Sequence, residues 1–212
     1  MKSRLLVLQF LVFCSLTTFV QSQILVKQLD LTMLPQGIKY EGKIKTAVFW
    51  TDSIGDNIVI TTESGIYKSK KNRHKNEGSD AEIFAYHYLV KNDSAIQTWR
   101  VYDYIYDCPV EIEAAFIKNT FQVTDLDSNG VAEIWLMYKT VCHGDVSPCD
   151  MKIIMYQGQQ KFAMRGQNKV KVSDKEFFGG EYKFDKAFTE RAEAFREFAK
   201  KLWNKNLMQV WE

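Results

Sequence analysis

The stretch Val131-Ala132-Glu133-Ile134-Trp135-Leu136-Met137-Tyr138-Lys139-Thr140 decides how the rest of the chain is read. Successive side chains of a strand point to opposite faces. Ala132, Ile134, Leu136 and Tyr138 then share one face, and Val131, Glu133, Trp135 and Met137 the other. Both faces are largely apolar, the pattern of a strand covered on two sides. The segment predicts a central strand that needs two separate covers.

Working outward, the neighbouring segments repeat strand–turn–strand patterns. Thr46 to Thr51 and Asn57 to Thr62 are rich in Val, Ile, Trp and Thr and flank the turn-forming Asp52-Ser53-Ile54-Gly55-Asp56. Glu82 to Val90 and Ile96 to Tyr106 do the same around Lys91-Asn92-Asp93-Ser94, and Met151 to Tyr156 and Gln160 to Arg165 around Gln157-Gly158-Gln159. The central strand is itself paired with Phe116 to Thr124 across Asp125 to Gly130. From Lys186 to about Asn204 the period changes. Phe188, Ala192, Phe195, Ala199 and Leu202 recur at helical steps, Glu190, Arg191, Glu193, Arg196 and Glu197 take the wet side, and Asp185 is placed to cap the N-terminus. The predicted fold class is α+β: a mostly antiparallel β meander of hairpins, with a C-terminal amphipathic helix packed on the sheet as one of the two covers.

The loop before the central strand carries the sharpest chemical pattern. Asp125, Asp127, Asn129 and Glu133 place side-chain oxygens at loop positions one, three, five and nine, with Gly130 at six, and the carbonyl of Val131 falls at seven. Calcium takes six to eight hard oxygen ligands, and the glycine permits the tight turn that brings alternate side chains inward. Three formal negative charges in one loop call for a divalent cation. An EF-hand would need flanking helices and a carboxylate at position twelve, where this chain has Leu136. With strands on both sides the loop instead resembles the calcium loops of integrin-type propeller repeats, in which the ninth-position acid takes part. Water, or an acid from elsewhere such as Asp103 or Asp145, would complete the shell. The expected cofactor is calcium, in a structural role.

Catalytic patterns are poor. The chain has no G-x-S-x-G elbow, no H-E-x-x-H and no phosphate-cradling glycine loop, and His74, His87 and His143 are scattered. Cys142 adjoins His143, but neighbours in sequence rarely face one another, and an exported cysteine is usually bridged. Glu111 with Glu113, or Asp103 with Asp107, are read as surface acids rather than a hydrolase pair. The basic run Lys68 to Lys75 is read as a solvated hairpin tip without the interleaved aromatics that single-stranded nucleic acid needs.

Lys2 and Arg4, the apolar Leu5 to Val20, and the small residues near Ser22 form a secretory signal over residues 1–22, with cleavage expected between Ser22 and Gln23. Phe13 stands where lipidation before Cys14 would require a small residue, which argues against a lipoprotein. The remaining chain, residues 23–212, reads as a single domain without a further membrane-spanning segment. Removing the signal leaves 28 − 2 = 26 Lys and Arg against 26 Asp and Glu, so a generally basic, nucleic-acid-binding surface is excluded. Cys108, Cys142 and Cys149 remain, enough for one disulfide and one thiol. Closing Cys108 to Cys142 is worth roughly 4 kcal/mol in the chain-entropy model and Cys142 to Cys149 roughly 2.5 kcal/mol, and the residues alone do not choose.

The run from Phe121 to Trp135 (FQVTDLDSNGVAEIW), with Cys142-His143-Gly144-Asp145-Val146-Ser147-Pro148 and Met151 to Tyr156, resembles a poorly characterised family of secreted flavobacterial-type proteins, some labelled surface polysaccharide biosynthesis proteins. Trp50-Thr51-Asp52, Asn57 to Thr61 and Asp107-Cys108-Pro109 fit it too, so the likeness spans roughly residues 45 to 170. The resemblance implies an envelope location, periplasmic or extracellular, and pairing of Cys108 with Cys142. The reading that follows is a non-enzymatic, calcium-stabilised β domain that binds a surface glycan or an envelope protein. A polysaccharide-acting envelope enzyme and a structural component of an envelope assembly are the alternatives.

Overall fold

The computed structural model describes residues 24–69 and 78–208. The signal segment 1–22 and the basic residues 70–75 lie outside the described residues.

Two antiparallel sheets form the body. The first runs in chain order: β1 (Lys27–Gln28), β2 (Lys43–Asp52), β3 (Gly55–Lys68), β4 (Ser79–Lys91) and β5 (Ser94–Cys108). The chain then crosses at Pro109 and Val110 into the second sheet. This contains β6 (Glu111–Phe116), β7 (Gln122–Thr124), β8 (Glu133–His143), β9 (Asp150–Gln157) and β10 (Gln160–Gln167). A small ribbon of β11 (Lys169–Lys171) and β12 (Phe177–Gly179) follows, and β13 (Tyr182–Phe184) rejoins the second sheet, whose order is β13-β10-β9-β8-β6 with β7 also on β8. Two helices, α1 (Lys186–Thr189) and α2 (Glu193–Lys205), end the described chain.

The central strand predicted from Val131 to Thr140 is β8, and both of its covers are present. Ile134, Leu136 and Tyr138 meet Val48, Trp50, Ile83 and Trp99 of the first sheet. On the reverse face, Trp135 and Met137 pack with Phe188, Phe195, Ala199 and Trp203 of the helices. Burying one such side chain contributes roughly 1.5–3 kcal/mol, so β8 anchors two cores at once. A third apolar layer, with Ile58, Phe84, Tyr86 and Tyr88, lines the outer face of the first sheet under residues 29–44. That crossing segment is held by tyrosine hydroxyls: Tyr86 Oη accepts from the Glu41 amide at 3.2 Å, and Tyr88 Oη donates to the Lys39 carbonyl.

The fold is α+β as expected, antiparallel hairpins with helices packed on a sheet, and the hairpins fall into two stacked sheets. Two expectations need correction. Phe116 to Thr124 is not one strand. It breaks over residues 117–121, where Asn119 takes a left-handed φ of 61° and the Thr120 hydroxyl bonds the Ile117 carbonyl. The C-terminal helix also breaks, at residues 190–192. Asp185 caps α1 as predicted, accepting from the Phe188 amide at 3.0 Å. Arg196 then reaches back to the carbonyls of Phe188, Thr189 and Arg191, satisfying acceptors that a continuous helix would have used internally. Ala192, at the break, is exposed and does not belong to the buried stripe.

Cys108 and Cys142 form a disulfide that joins the end of the first sheet to β8, and Cys149 is a buried free thiol. Cys142 therefore offers no thiolate beside His143. His87 lies in the core between Trp50 and Trp99, with its ring nitrogens on Thr98 and Asn57. Burial pushes its pKa down to about 4, which keeps it neutral. None of the described helices is long and apolar enough to cross a membrane.

Candidate metal centre

The register at the start of β8 places Thr124 of β7, Glu133 and Gln157 of β9 side by side. Glu133 is fully buried there. Its Oε2 accepts from the Thr124 hydroxyl at 2.7 Å and the Leu126 amide at 2.9 Å, and its Oε1 from Gln157 Nε2 at 3.2 Å. The loop between β7 and β8 then curls two more acids onto it. Oxygens of Asp125, Asp127 and Glu133 all lie within 4.8 Å of one another. Calcium holds oxygens at about 2.3–2.6 Å, so two on opposite sides of one ion are about 5 Å apart, and the cluster fits inside a single coordination sphere.

The local chemistry of the loop explains its shape. Asp127 Oδ1 accepts from the Asn129 amide at 3.3 Å, and Asn129 Oδ1 accepts from the Val131 amide at 2.8 Å, two successive Asx turns. Ser128 and Gly130 both adopt left-handed φ, at 55° and 78°. At Gly130 a Cβ would also sit 2.3 Å from Ser53 Oγ and force that hydroxyl to move. That contact marks a clamp between the sheets. The Ser53 amide donates to the Gly130 carbonyl at 2.8 Å, and Asp52 Oδ2 accepts from the Ala132 amide and from Trp50 Nε1, both at 3.1 Å. The β2–β3 turn thus grips the loop from the opposite sheet.

Burial, above all, raises the Glu133 carboxyl to about 7; the Leu126 and Thr124 bonds pull it down, and Asp127 and Asp125 raise it further. Among the described residues neither Asp127 nor Glu133 has a salt bridge. Gln157 bridges the two acids, its Nε2 donating both to Asp127 Oδ2 at 3.0 Å and to Glu133. The arrangement can hold a metal ion.

Of the predicted ligands, Asp125, Asp127 and Glu133 converge; Asn129 lies beside them, its Nδ2 donating to Asp127 Oδ2 at 3.0 Å and its Oδ1 accepting from the Val131 amide. Asp103 and Asp145 lie elsewhere: Asp103 bonds Lys152 and Tyr138, and Asp145 bonds the Ser147 amide. Gln157 and Asp52 were not anticipated. Gln157 read only as a turn residue, and its proximity follows from the pairing of β8 with β9, which no local pattern reveals.

The alternative acid pairs are occupied in part, with Glu113 ion-paired to Lys139 at 2.9 Å and Asp103 to Lys152 at 2.6 Å. A cleft lined by Lys45, Thr46, Thr61, Asn119, Thr120 and Phe121 has no carboxylate in its lining. Aromatics are not confined to the core. Tyr102, Tyr104 and Tyr106 lie exposed along β5, with Tyr104 and Tyr106 stacked at 4.1 Å and the hydroxyls of Tyr102 and Tyr106 on Glu82. No protein-family model, no curated protein and no solved structure matches the chain.

Proposed function

We propose that this is an exported, non-enzymatic β-sandwich of the bacterial envelope whose Asp125–Glu133 loop binds calcium, and whose body presents a surface to glycan or protein partners. The observation that carries the calcium reading is the convergence of three carboxylates within 4.8 Å around a fully buried glutamate. Desolvating one carboxylate beside two others is costly, and a hard divalent cation removes that cost. Rotating the Gln157 amide by half a turn would exchange its donor for an oxygen, which suits the same ion. Because the loop is clamped to Asp52 and Ser53, the ion would stiffen the contact between the sheets, a structural rather than a signalling role. Export is supported by the basic–apolar–small order of residues 1–22 and by the Cys108–Cys142 disulfide, a bond that persists in oxidising compartments.

The test is thermal melting of the mature protein with 10 mM calcium and with chelator. A site with a dissociation constant near 0.1 mM, in the range of extracellular calcium modules, adds about 2.7 kcal/mol at one hundred times that concentration. For a domain of this size that is a rise of roughly 5–10 °C. An unchanged midpoint would remove the calcium reading.

A further inference from the structure

We infer that the rim of the second sheet, where β10 and β13 run out from under the first, is a binding face for an acidic polysaccharide. The pairing of β9, β10 and β13 sets Lys152, Arg165 and Lys183 in one row across three strands, on the face that looks toward the first sheet. Lys161 lies on that face four residues before Arg165, about 13 Å away along the strand. Between them Ala163 belongs to the inter-sheet core, yet Lys161, Arg165 and Lys183 are exposed. The core therefore ends at this strand. β5 is the last strand of the first sheet, and its Asp103 bonds Lys152 on β9 at 2.6 Å, so the edge of the first sheet stops above β9 and leaves a step.

Three of the cations in the step are unpaired: among the described residues Lys161, Arg165 and Lys183 make no salt bridge. The acids that face them are committed elsewhere: Asp103 to Lys152 and to the Tyr138 hydroxyl, and both oxygens of Asp185 to the amides of Ala163 and Phe188. Asp150, two residues before Lys152 on β9, and Glu181, two residues before Lys183, are the remaining acids on this face; both are exposed, and neither pairs with these cations. Partial burial of its stem, then the Arg165 charge, lowers the Lys161 pKa, a sign that the cations crowd one another.

The shape selects the ligand. Arg165 and Lys183 stand side by side on neighbouring strands and Lys161 lies about 13 Å away along β10, so the three do not converge on a point, as they would for a single phosphate, and they suit anionic groups repeated along a chain. The step is recessed beneath β5, which disfavours a flat bilayer. No exposed aromatic stands among the four cations to stack bases. The choice of a saccharide polymer, though not the existence of the cationic face, rests on the export reading above.

Binding to dextran sulfate is measured by calorimetry in calcium buffer across a salt series, with uncharged dextran, phosphatidylglycerol vesicles and a single-stranded oligonucleotide alongside. Dextran sulfate binds and dextran does not. The Arg165→Gln/Lys183→Gln variant loses about tenfold or more in affinity and lowers the salt slope by about two. A Lys27→Gln/Lys201→Gln variant, with the same change in net charge at exposed sites away from the row, stays within about twofold of the parent. Equal loss in the two variants, no preference for dextran sulfate over dextran, or tighter binding to vesicles or oligonucleotide would each overturn the inference. The calcium melting result has no bearing on these outcomes, so the two readings fail separately.

Discussion

Asp103 and Glu133 are carboxylates in the same two-sheet body, and the fold treats them in opposite ways. Asp103, about a fifth exposed, receives Lys152 at 2.6 Å and the Tyr138 hydroxyl at 3.0 Å. Its charge is answered by a cation that the next sheet supplies. Glu133 is fully buried, receives only neutral donors, and is approached by two further acids. The first group is complete in the protein alone. The second could be completed by a metal ion. The contrast separates an internal salt bridge, whose partner the chain itself supplies, from an acid cluster that the described residues answer with neutral donors only.

The largest effect that would break this contrast is at Glu133. The folded carboxyl titrates near 7 against a reference of 4.5. Between those values the folded state keeps a proton that the unfolded state has released, so Glu133 makes stability fall as pH rises through that window and level off above it. At roughly 1.4 kcal/mol per unit the loss approaches about 3 kcal/mol. His87 works the other way: its pKa of about 4 makes stability rise with pH between about 4 and 6.5. The two slopes nearly cancel in the parent protein. The informative quantity is therefore the difference between the parent and Glu133→Gln in chelator, from urea melts at pH 5 and pH 8. The variant should be comparable at pH 5 and more stable by about 2–3 kcal/mol at pH 8, and it should no longer respond to calcium. A variant less stable than the parent at pH 8 in chelator would show that the buried charge is already compensated.

Asp103 should show the reverse. Lys152→Met leaves its carboxylate with only neutral donors, the Tyr138 hydroxyl and the Tyr104 amide. Breaking a deeply buried pair costs about 3–5 kcal/mol, but both partners here are about a fifth exposed, so solvent reduces the expected cost to about 1–2 kcal/mol. Adding Asp103→Asn should recover most of it in a double-mutant cycle. Calcium should leave the deficit unchanged. A deficit that calcium removes would mean the two carboxylates are not independent.

Local pattern reached the site unevenly, and the reason is geometric. Alternation along β8 fixed which residues share a face, so the two cores were legible, as were the turn residues that shape the Asp125–Gly130 loop. Asp125, Asp127 and Glu133 lie within nine residues and converge through turns that Asn129 and Gly130 dictate locally. Gln157, Asp52 and Ser53 enter through strand pairing and sheet stacking, which depend on long-range burial. The broken helix was hidden because the carbonyls freed at the gap are met by the Arg196 side chain reaching back over it, which no apolar period records. A regular apolar stripe through Ala192 looks the same whether the helix is continuous or interrupted. The split of Phe116 to Thr124 was hidden likewise, since Asn119 is the one local sign of a turn in an otherwise strand-like run.

The smallest effect sharpens the comparison most directly. In Asn129→Asp the new carboxylate can still accept from the Val131 amide, which preserves the turn that Asn129 Oδ1 makes at 2.8 Å. It loses the Nδ2 donor that now reaches Asp127 Oδ2 at 3.0 Å and replaces that attraction with repulsion between like charges. In chelator the variant should be less stable by about 0.5–1 kcal/mol, the scale of one lost hydrogen bond near the surface. In saturating calcium the sign should invert, because a further anion beside the ion raises affinity, and the melting midpoint should meet or pass that of the parent. The same substitution at a loop without a cation would be unfavourable in both buffers. A deficit that persists undiminished at 10 mM calcium would mean that position five takes no part in holding the ion, and that Asn129 serves the turn alone.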